Sequence, residues 1–489
     1  MEFFAVTAAA DLNPHLICAI ADARPGRAVR IGRGLLDHVQ LRCEQARAEL
    51  RRGHPVYGVN TGMGALSGVL LTPAQQLAHQ RNLMLARATG GPPWLDAADV
   101  RAIIAVRLRT FLSGDAGVSG QLCQRLADFL GEGISPAVPR TGVGSAGEIM
   151  PLAHAFGPLA GIGQVLGSAG QLRPAGQALR DHGLGEFTLG PKEGIALLAG
   201  VPGATAMSVR RVAAARTLTA MMEAAAGLSI VAAGAPGDPY TAACARGDDI
   251  LAGVLDRLRA VTGGSPAPRM LQAPVSFRVA GPVLTQVLRA ADALTAATGR
   301  ALDGVTDSPA FLDGRFTGTA GFHGIDLAAH CDQVTAALAH AVEVSGARIH
   351  RLLDPRVTGL PAQLAASPGP DTGLVAVHKR AAGEVHAMRR LAMATSVGTI
   401  ETSGGQEDVQ SFAWEAAEVL RAAIRHARAV TACELLTAWQ AIRLADRPPP
   451  PGCRRVLGWL DGLIEPILAD RPFGADIERI AAAPWPQPR

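Results

Sequence analysis

The chain has 489 residues, of which 48% are hydrophobic and 18% are charged, and its formal net charge is +4. At about 100–200 residues per domain, this length allows one large domain or a few ordinary ones, and the composition excludes a disordered or collagen-like chain. The weak net charge, without a basic run that contains aromatic residues, argues against a nucleic-acid-binding protein or a protein of anionic membrane surfaces.

The seven cysteines are scattered, without a Cys-x-x-Cys pair or a Cys/His cluster. This distribution predicts reduced thiols in a cytoplasmic protein, and neither disulfides nor a metal site. The N-terminus has neither a basic segment nor a long apolar one, so we expect no signal peptide. The most apolar window, residues 220–235, contains Glu223 and is too short for a membrane span, so it predicts a buried helix.

The predicted elements change in character near residue 205. The preceding part combines short helices, predicted at 74–88 and 96–112, with glycine-rich loops at 57–64 and 141–147. In the following part, apolar residues recur every three to four positions, which indicates long helices. These helices are predicted at 205–231, 283–301, 326–353, 380–399 and 408–445.

Strand patterns are sparse, so the predicted fold class is mostly α. We expect an N-terminal active-site loop domain at residues 1–205, a central bundle of long helices at 206–447 and a C-terminal helical tail at 448–489. Helices this long and apolar require partner faces, which predicts a bundle and an oligomer.

Four motifs occur in a characteristic order along the chain. They are YGVNTGMG at 57–64, GVGSAGEIMPLAH at 142–154, GPKEGIALL at 190–198 and QED at 406–408. Together they resemble the aromatic amino acid ammonia-lyase and aminomutase family, which includes histidine ammonia-lyase. The resemblance covers about residues 30–445. It implies a mostly α homotetramer of histidine ammonia-lyase-like fold, with active sites assembled from loops of more than one chain.

The resemblance also implies a prosthetic group, and the sequence departs from the family at this point. In the family, an Ala-Ser-Gly tripeptide forms the methylidene-imidazolone group after its serine loses the hydroxyl. The corresponding residues here are Ser145, Ala146 and Gly147, so the middle residue has no hydroxyl to eliminate. We therefore expect neither this group nor another cofactor or metal. A cyclisation shifted by one residue would use Ser145 and a bulkier third residue, Ala146.

Other positions differ from the family in the same direction. The asparagine after the third motif is Ala199 here, an Asp and a Tyr are Ala273 and Val275, and two further asparagines are Ser308 and Gly321. Because these supporting residues change together with the tripeptide, we interpret the site as one rebuilt for chemistry without the electrophile.

The remaining family positions suggest roles by resemblance. Tyr57 corresponds to the catalytic base, although a phenol of reference pKa about 10 needs nearby positive charge or donors to act as one. Glu407 corresponds to a carboxylate near the amine site, and Arg278 to the guanidinium that binds the substrate carboxylate. Ser145 is the third candidate catalytic residue. The other predicted substrate-binding residues are Arg87, Phe322, Gln272, Ala199 and Val275.

Each of these residues also has a structural explanation. Tyr57 could be a packing residue, and Arg278 a partner in a structural ion pair. Glu407 and the following Asp408 precede a predicted helix, where acidic side chains stabilise the N-terminus. Arg87 could be a solvated charge on a helix surface, whereas inside the pocket it would add a cation and favour an anionic substrate.

These observations lead to one main hypothesis and two alternatives. The main hypothesis is a cytoplasmic, ammonia-lyase-like enzyme of specialised metabolism that lacks methylidene-imidazolone. With Tyr57 as acid/base, it would catalyse a cofactor-free elimination, addition, isomerisation or cyclisation on a small carboxylate-bearing or acyl-activated substrate. The alternatives are a conventional aromatic or histidine ammonia-lyase or aminomutase, with an engineered or shifted tripeptide, and a non-catalytic pseudoenzyme. We expect neither nucleic acid nor a membrane as partner.

Overall fold

The structure is a computed structural model that describes residues 3–167, 169–265, 267–445 and 448–486. It is mostly helical, which confirms the predicted fold class. The helices in chain order are α1 (Pro14–Asp22), α2 (Arg33–Leu50), α3 (Pro73–Arg87), α4 (Ala97–Leu112), α5 (Gly120–Glu132), α6 (Ile149–Phe156), α7 (Ala175–Asp181), α8 (Glu193–Leu198), α9 (Pro202–Ala233), α10 (Asp249–Thr262), α11 (Val275–Arg278), α12 (Ala280–Asp303), α13 (Ile325–Leu352), α14 (Pro355–Thr358), α15 (Val375–Leu391), α16 (Ala413–Leu444), α17 (Arg454–Asp461) and α18 (Gly474–Ala482).

The strands are short and form three small sheets. The strands β1 (Phe3–Val6) and β2 (Ala28–Ile31) pair in parallel. An antiparallel sheet has the order β3 (Ser135–Pro136), β4 (Gln164–Leu166) and β5 (Leu172–Pro174), and β6 (Ala310–Leu312) pairs with β7 (Arg315–Thr317).

The helical periodicity located most long helices to within a few residues, but three predicted boundaries are wrong by five residues or more. The helix predicted at 380–399 is α15, which begins at Val375 and ends at Leu391. The helix predicted from residue 408 is α16, which begins at Ala413. The intervening chain contains residues with positive φ, among them Gly398, Ser403 and Phe412, and such backbone cannot continue a right-handed helix. The predicted N-terminal capping role of Glu407 and Asp408 is therefore also wrong.

The chain divides into two compact units, and each is assembled from separate stretches of sequence. The first unit comprises Met1–Arg210, Leu294–Cys331 and Ala394–Glu418, and the second comprises Arg211–Ala293, Asp332–Met393 and Val419–Arg489. The predicted three-part division stays a prediction, and its boundary residue 447 lies outside the described residues. Within the described residues, no helix combines the length and apolar character that a membrane span requires.

In the first unit, α4 packs against α1 and α5, while α3 packs against α6 and α8. Thr72 caps the N-terminus of α3 by accepting the N–H of Gln75, whose side chain bonds back to Thr72, and Pro73 occupies the first turn. This local sequence fixes where α3 begins, and its last residue is Arg87.

In the second unit, a buried ion pair connects α13 and α16. The guanidinium of Arg348 donates to both carboxylate oxygens of Glu434, at 2.6 and 3.0 Å. Ser229 of α9 and Ser345 of α13 also donate to this carboxylate. These four donors compensate for the burial of the charge and fix the register of the helices.

Candidate active site

A cavity of about 470 Å³ in the first unit brings together several of the predicted site residues. It is bordered by the tyrosine loop (residues 57–64), the start of α6, the end of α8 and the segment before α16. Its walls are mainly apolar, which suits a small organic ligand. The predicted site residues in its lining are Tyr57, Ala146, Gly147, Ala199, Phe322 and Glu407.

The tyrosine loop is a tight turn that presents Tyr57 to the cavity. Asn60 stabilises the turn, because its side chain accepts the N–H of Val56 at 2.6 Å and donates to the carbonyl of His54 at 2.7 Å. Gly58 has a φ of +68°, and a Cβ there would lie 2.3 Å from Cδ1 of Ile195, so the position requires glycine.

The phenol oxygen of Tyr57 has one hydrogen bond in the described structure. It accepts the backbone N–H of Gly64 at 2.9 Å, and 38% of the tyrosine surface is exposed. The oxygen therefore retains its own proton and a free lone pair for a ligand.

Within the tripeptide turn, residues 145–147, Ala146 and Gly147 line the cavity, whereas Ser145, a predicted catalytic residue, is not among its described lining residues. The hydroxyl of Ser145 donates to the carbonyl of Gly147 at 2.7 Å, and the N–H of Ala146 donates to Oε2 of Glu407 at 2.8 Å. Glu407 also accepts the hydroxyl of Ser403 at 3.1 Å. Glu407 therefore connects the tripeptide turn to the segment before α16 instead of capping a helix.

The residues of this turn do not fit the chemistry of a methylidene-imidazolone group. In the family register, the residue that must lose a hydroxyl is Ala146, which has only a methyl group. In the shifted register, the nitrogen that must attack a carbonyl is that of Ala146, and its N–H is bonded to Glu407. The hydroxyl of Ser145 is likewise engaged with the carbonyl of Gly147.

Arg87, the last residue of α3, lies near the cavity although it is not part of its lining. Its Nη2 approaches Sδ of Met63, a lining residue, at 3.7 Å. Burial lowers the pKa of the Arg87 guanidinium, and the nearby Tyr57 and Glu407 oppose this shift. Arg87 is thus a half-buried cation whose electrostatic partners are Tyr57 and Glu407.

Three predicted substrate-binding residues lie in the second unit, and among the described residues that line the cavity none is Gln272, Val275 or Arg278. Gln272 and Val275 are exposed. The described residues offer Arg278 no ion pair, and its buried Nε has no acceptor, so the structural ion-pair explanation lacks support.

The turn that carries Arg278 is nevertheless held firmly within the second unit. Tyr240 donates its hydroxyl to the carbonyl of Phe277 at 2.8 Å, and Arg348 donates to the carbonyl of Ser276 at 3.1 Å. Both donors are buried. The backbone next to Arg278 is thus fixed, while Nε of its guanidinium has no hydrogen-bond acceptor among the described residues.

Sequence reasoning missed a buried charge cluster, defined as Arg107, Glu148, Lys192 and Asp307. Lys192 and Asp307 form an ion pair at 2.6 Å, and Arg107 donates to the carbonyl of Ala199 in the cavity wall. Burial lowers the pKa of Arg107 to about 10 and raises that of Glu148 to about 7. The sequence did contain one indication of this cluster, because Lys192 is one of only two lysines in the chain and lies within a motif.

The described residues contain no group of three or more His, Cys, Asp or Glu side chains that could hold a metal ion. All seven cysteines are free thiols. The groups available for chemistry in the cavity are therefore a phenol, a carboxylate, a nearby guanidinium and the backbone of the tripeptide turn.

Two solved structures share this fold over nearly the whole chain. Tyrosine aminomutase from Streptomyces globisporus has a TM-score of 0.89 and 26% identity, with 96% of this chain and 94% of that chain covered. The ergothioneine-degrading enzyme ergothionase from Treponema denticola has a TM-score of 0.91 and 23% identity, with 98% of both chains covered.

Sequence comparisons give the same result. Histidine ammonia-lyase of Symbiobacterium thermophilum is 31% identical over 487 residues, which cover 97% of this chain and 96% of that protein. Histidine ammonia-lyase of Streptomyces griseus is 34% identical over 439 residues, with 87% and 85% covered. The sequence model described as aromatic amino acid lyase matches residues 12–460. The resemblance in the four motifs is thereby confirmed, and the chain belongs to the aromatic amino acid lyase family.

Proposed function

We propose that this lyase works without a methylidene-imidazolone group and acts on a small carboxylate-bearing or acyl-activated substrate. The observation that carries the proposal is Ala146, because a methyl group stands where the family chemistry must eliminate a hydroxyl. The engagement of the Ala146 N–H by Glu407 supports it further. Without an internal electrophile, the substrate must bring its own activation, as a thioester, a conjugated acid or a good leaving group.

In this proposal Tyr57 moves the proton. Tyr57 lines the cavity, its oxygen accepts the Gly64 N–H, and the charge of Arg87 is nearby. Tyr57 would take a proton from a carbon next to the activating group, while the leaving group departs from the adjacent carbon. Addition, isomerisation or cyclisation would use the same proton transfer in another order.

Arg87 and Arg278 would bind the negative charge of the substrate. Arg87 is the cation near Tyr57, and Arg278 has a guanidinium without an ion-pair partner among the described residues. In the proposed homotetramer, Arg278 would reach the cavity of another copy. Phe322 and Ala199 would form apolar walls around the rest of the ligand. The unpaired thiols agree with the proposed cytoplasmic location.

A conventional histidine or aromatic ammonia-lyase is the second candidate. The names of the two bacterial relatives favour it, since both are histidine ammonia-lyases. It would require a cyclisation over Gly144, Ser145 and Ala146, or a chain in which Ala146 replaces a native serine.

The mass of the intact denatured chain distinguishes the proposal from a conventional enzyme with a shifted cyclisation. The proposal expects the full sequence mass of 50.4 kDa and no absorbance beyond that of the aromatic side chains in the near ultraviolet. A chain lighter by two molecules of water, with a new near-ultraviolet band, would overturn the proposal in favour of the conventional enzyme.

Activity assays complete the test. The panel comprises L-histidine, L-tyrosine and ergothioneine, which the names of similar proteins supply, together with aromatic thioesters and conjugated acids. We expect no ammonia release from histidine or tyrosine by the wild-type chain, nor by the double variant Ser145→Ala/Ala146→Ser, since Ala199 and Val275 remain. Histidine deamination by the double variant alone would indicate an engineered chain and contradict the proposal.

A further inference from the structure

His154 lies near the end of α6, the helix that follows the tripeptide turn, and contacts the segment after α3. Its Nε2 accepts the backbone N–H of Gly90 at 2.9 Å. One residue earlier, the hydroxyl of Thr89 donates to Sδ of Met150, also on α6, at 2.9 Å. Two contacts from α6 therefore hold the linker, defined as residues 88–90, which begins directly after Arg87.

The hydrogen bonds of His154 require a neutral ring. Because Nε2 accepts from Gly90, the proton must be on Nδ1. Backbone hydrogen bonding by Ala137 opposes the fall in the pKa of the ring, and because the Ala137 N–H donates to Gln164, its carbonyl is the group that favours a ring N–H. A protonated ring would have no acceptor for the Gly90 N–H.

The linker fits closely against its surroundings. A Cβ at Gly90 would lie 2.6 Å from Cγ of Pro139 and 3.4 Å from Nε2 of His154, so only glycine allows this approach. The linker continues directly from Arg87, whose guanidinium contacts Met63 and interacts with Tyr57 and Glu407. A displacement of the linker would therefore change the direction of the last turn of α3 and of its terminal side chain.

We propose that His154 is a positioning residue, whose neutral ring holds the linker on α6 and so directs Arg87 toward Tyr57 and Glu407. Protonation of the ring places an N–H opposite the N–H of Gly90, which breaks the contact and releases the linker. Binding of an anionic ligand at Arg87 then weakens in acid. This inference rests on the proposed role of Arg87 in binding the substrate.

The charged and titratable groups on the elements packed against α6 do not replace His154 in this role. On α3, Arg81 donates to the Ala160 carbonyl, and burial together with the charge of Arg87 lowers the pKa of His79. On α4, the three arginines donate to backbone carbonyls, Arg101 to Ile20, Arg107 to Ala199 and Arg109 to Leu302, and Asp99 accepts from Arg210. Beside α8, Lys192 pairs with Asp307 and Glu193 accepts from Ser119, while Glu148 before α6 accepts from Gly203 and Ala204. Burial lowers the pKa of His154 and the bond to Ala137 opposes this shift, without a contribution from any charged group of the described residues.

Tryptophan fluorescence tests whether His154 titrates at this contact. The Trp94 ring lies 6.1 Å from the His154 ring, and a protonated imidazole quenches a neighbouring indole. We expect the emission of the wild type to fall as the pH drops below about 6.5, the reference pKa of histidine. This component should be absent in both Trp94→Phe and His154→Gln. Its persistence in His154→Gln would overturn the proposal.

Two substitutions separate the contacts of the ring. A glutamine oxygen can occupy the region of Nε2 and accept from Gly90, whereas the shorter asparagine reaches only the region of Nδ1. Hydrogen exchange of a peptide that contains the linker should be slow in the wild type and in His154→Gln at pH 7.5. We expect exchange about fivefold faster in His154→Asn, the effect of one lost hydrogen bond. Equal exchange in the two variants would contradict the proposal.

Binding of benzoate, measured by calorimetry, connects the linker to Arg87. We expect wild-type affinity to fall about fivefold between pH 7.5 and 5.5, and His154→Gln to lose this dependence. Arg87→Gln should abolish binding at both pH values. If Arg87→Gln binds benzoate normally, the proposed function of Arg87 fails; if Arg87 is required but the pH dependence survives in His154→Gln, the role of His154 fails.

Discussion

At the residue scale, Tyr57 is the side chain whose removal tests the chemistry most directly. Its hydroxyl forms one hydrogen bond, in which it accepts from Gly64, and its ring is partly exposed. Loss of this oxygen removes the group proposed to transfer the proton, but it removes only one hydrogen bond, to the Gly64 N–H. The catalytic and structural effects of the substitution are therefore separable.

We expect Tyr57→Phe to lower kcat by about a hundredfold to ten-thousandfold, the range of general acid–base catalysis, with a small change in stability. The free energy of unfolding should fall by no more than about 1 kcal/mol. Steady-state kinetics on the substrate found by the activity panel and urea unfolding provide the two measurements. A variant with wild-type kcat would assign the proton transfer to another group.

Residues of the cavity could be predicted from the sequence when they belong to a recognisable motif. Tyr57, Ala146 and Glu407 lie far apart in the chain, yet each belongs to a recognisable motif. The contact between the Ala146 N–H and Glu407 could not be foreseen, because it depends on how two loops approach each other. Arg107 was missed because an arginine inside an apolar helix gives no local sign of a buried charge.

At the element scale, the buried charge cluster stabilises the segments behind the cavity wall. Lys192 precedes α8, and Asp307 precedes Ser308, a lining residue. Both members of this ion pair are about 1% exposed. Removing one charge therefore leaves the other buried without compensation, whereas replacing both with apolar residues does not.

We expect Asp307→Asn to lower the free energy of unfolding by about 3–5 kcal/mol. The matched double variant Lys192→Met/Asp307→Leu should recover most of this loss, because no isolated charge remains. Chemical denaturation of the three proteins gives the comparison. A double variant no more stable than Asp307→Asn would show that the cost is one of packing and not of the unpaired lysine.

Glu148, another member of the buried charge cluster, contacts the start of α9. Its carboxylate accepts the N–H groups of Gly203 and Ala204, at 2.7 and 2.6 Å, in the first turn of that helix. Burial raises its pKa from 4.5 to about 7, although these two bonds and Arg107 oppose the shift. The folded protein therefore holds a proton in a range of pH where the unfolded chain has released it.

This difference predicts a pH dependence of stability. Between pH 4.5 and about 7 the folded state binds more protons than the unfolded state, so the unfolding free energy falls as the pH rises. The stabilising contribution of Glu148 to the free energy of unfolding is fully present below pH 4.5, and about 3 kcal/mol of this contribution is lost by neutral pH. In Glu148→Gln this part of the slope should vanish. Urea unfolding between pH 4.5 and 7 provides the measurement. If the unfolding free energy of Glu148→Gln depends on pH as that of the wild type does, the assignment of this dependence to Glu148 is contradicted.

The helical elements also show where periodicity stops being informative. The long helices α9, α12 and α13 matched their predictions closely because an apolar pattern continues through each of them. The end of α15 was missed because residues 392–399 retain apolar members while side-chain bonds, such as that of Thr399 to Gln410, favour a loop. A pattern of hydrophobicity does not reveal this competition.

At the scale of the whole molecule, the segment before Arg278 exposes an apolar surface. Leu271 is fully exposed and Val275 is 58% exposed, in a segment that the family resemblance assigns to substrate binding. Apolar side chains of this kind typically lie at protein interfaces. The proposed homotetramer would cover them and bring Arg278 of one copy to the cavity of another.

Mixed oligomers test this arrangement. Chains with Tyr57→Phe and chains with Arg278→Ala should each form inactive oligomers, since one lacks the proposed proton-transfer group and the other the proposed carboxylate-binding group. If a site takes the two residues from different copies, co-expression in equal amounts leaves about a quarter of the sites with both native residues. Activity should therefore return to about a quarter of the wild-type level. If both residues came from one chain, the mixed oligomers would remain inactive, because each chain has lost one of the two.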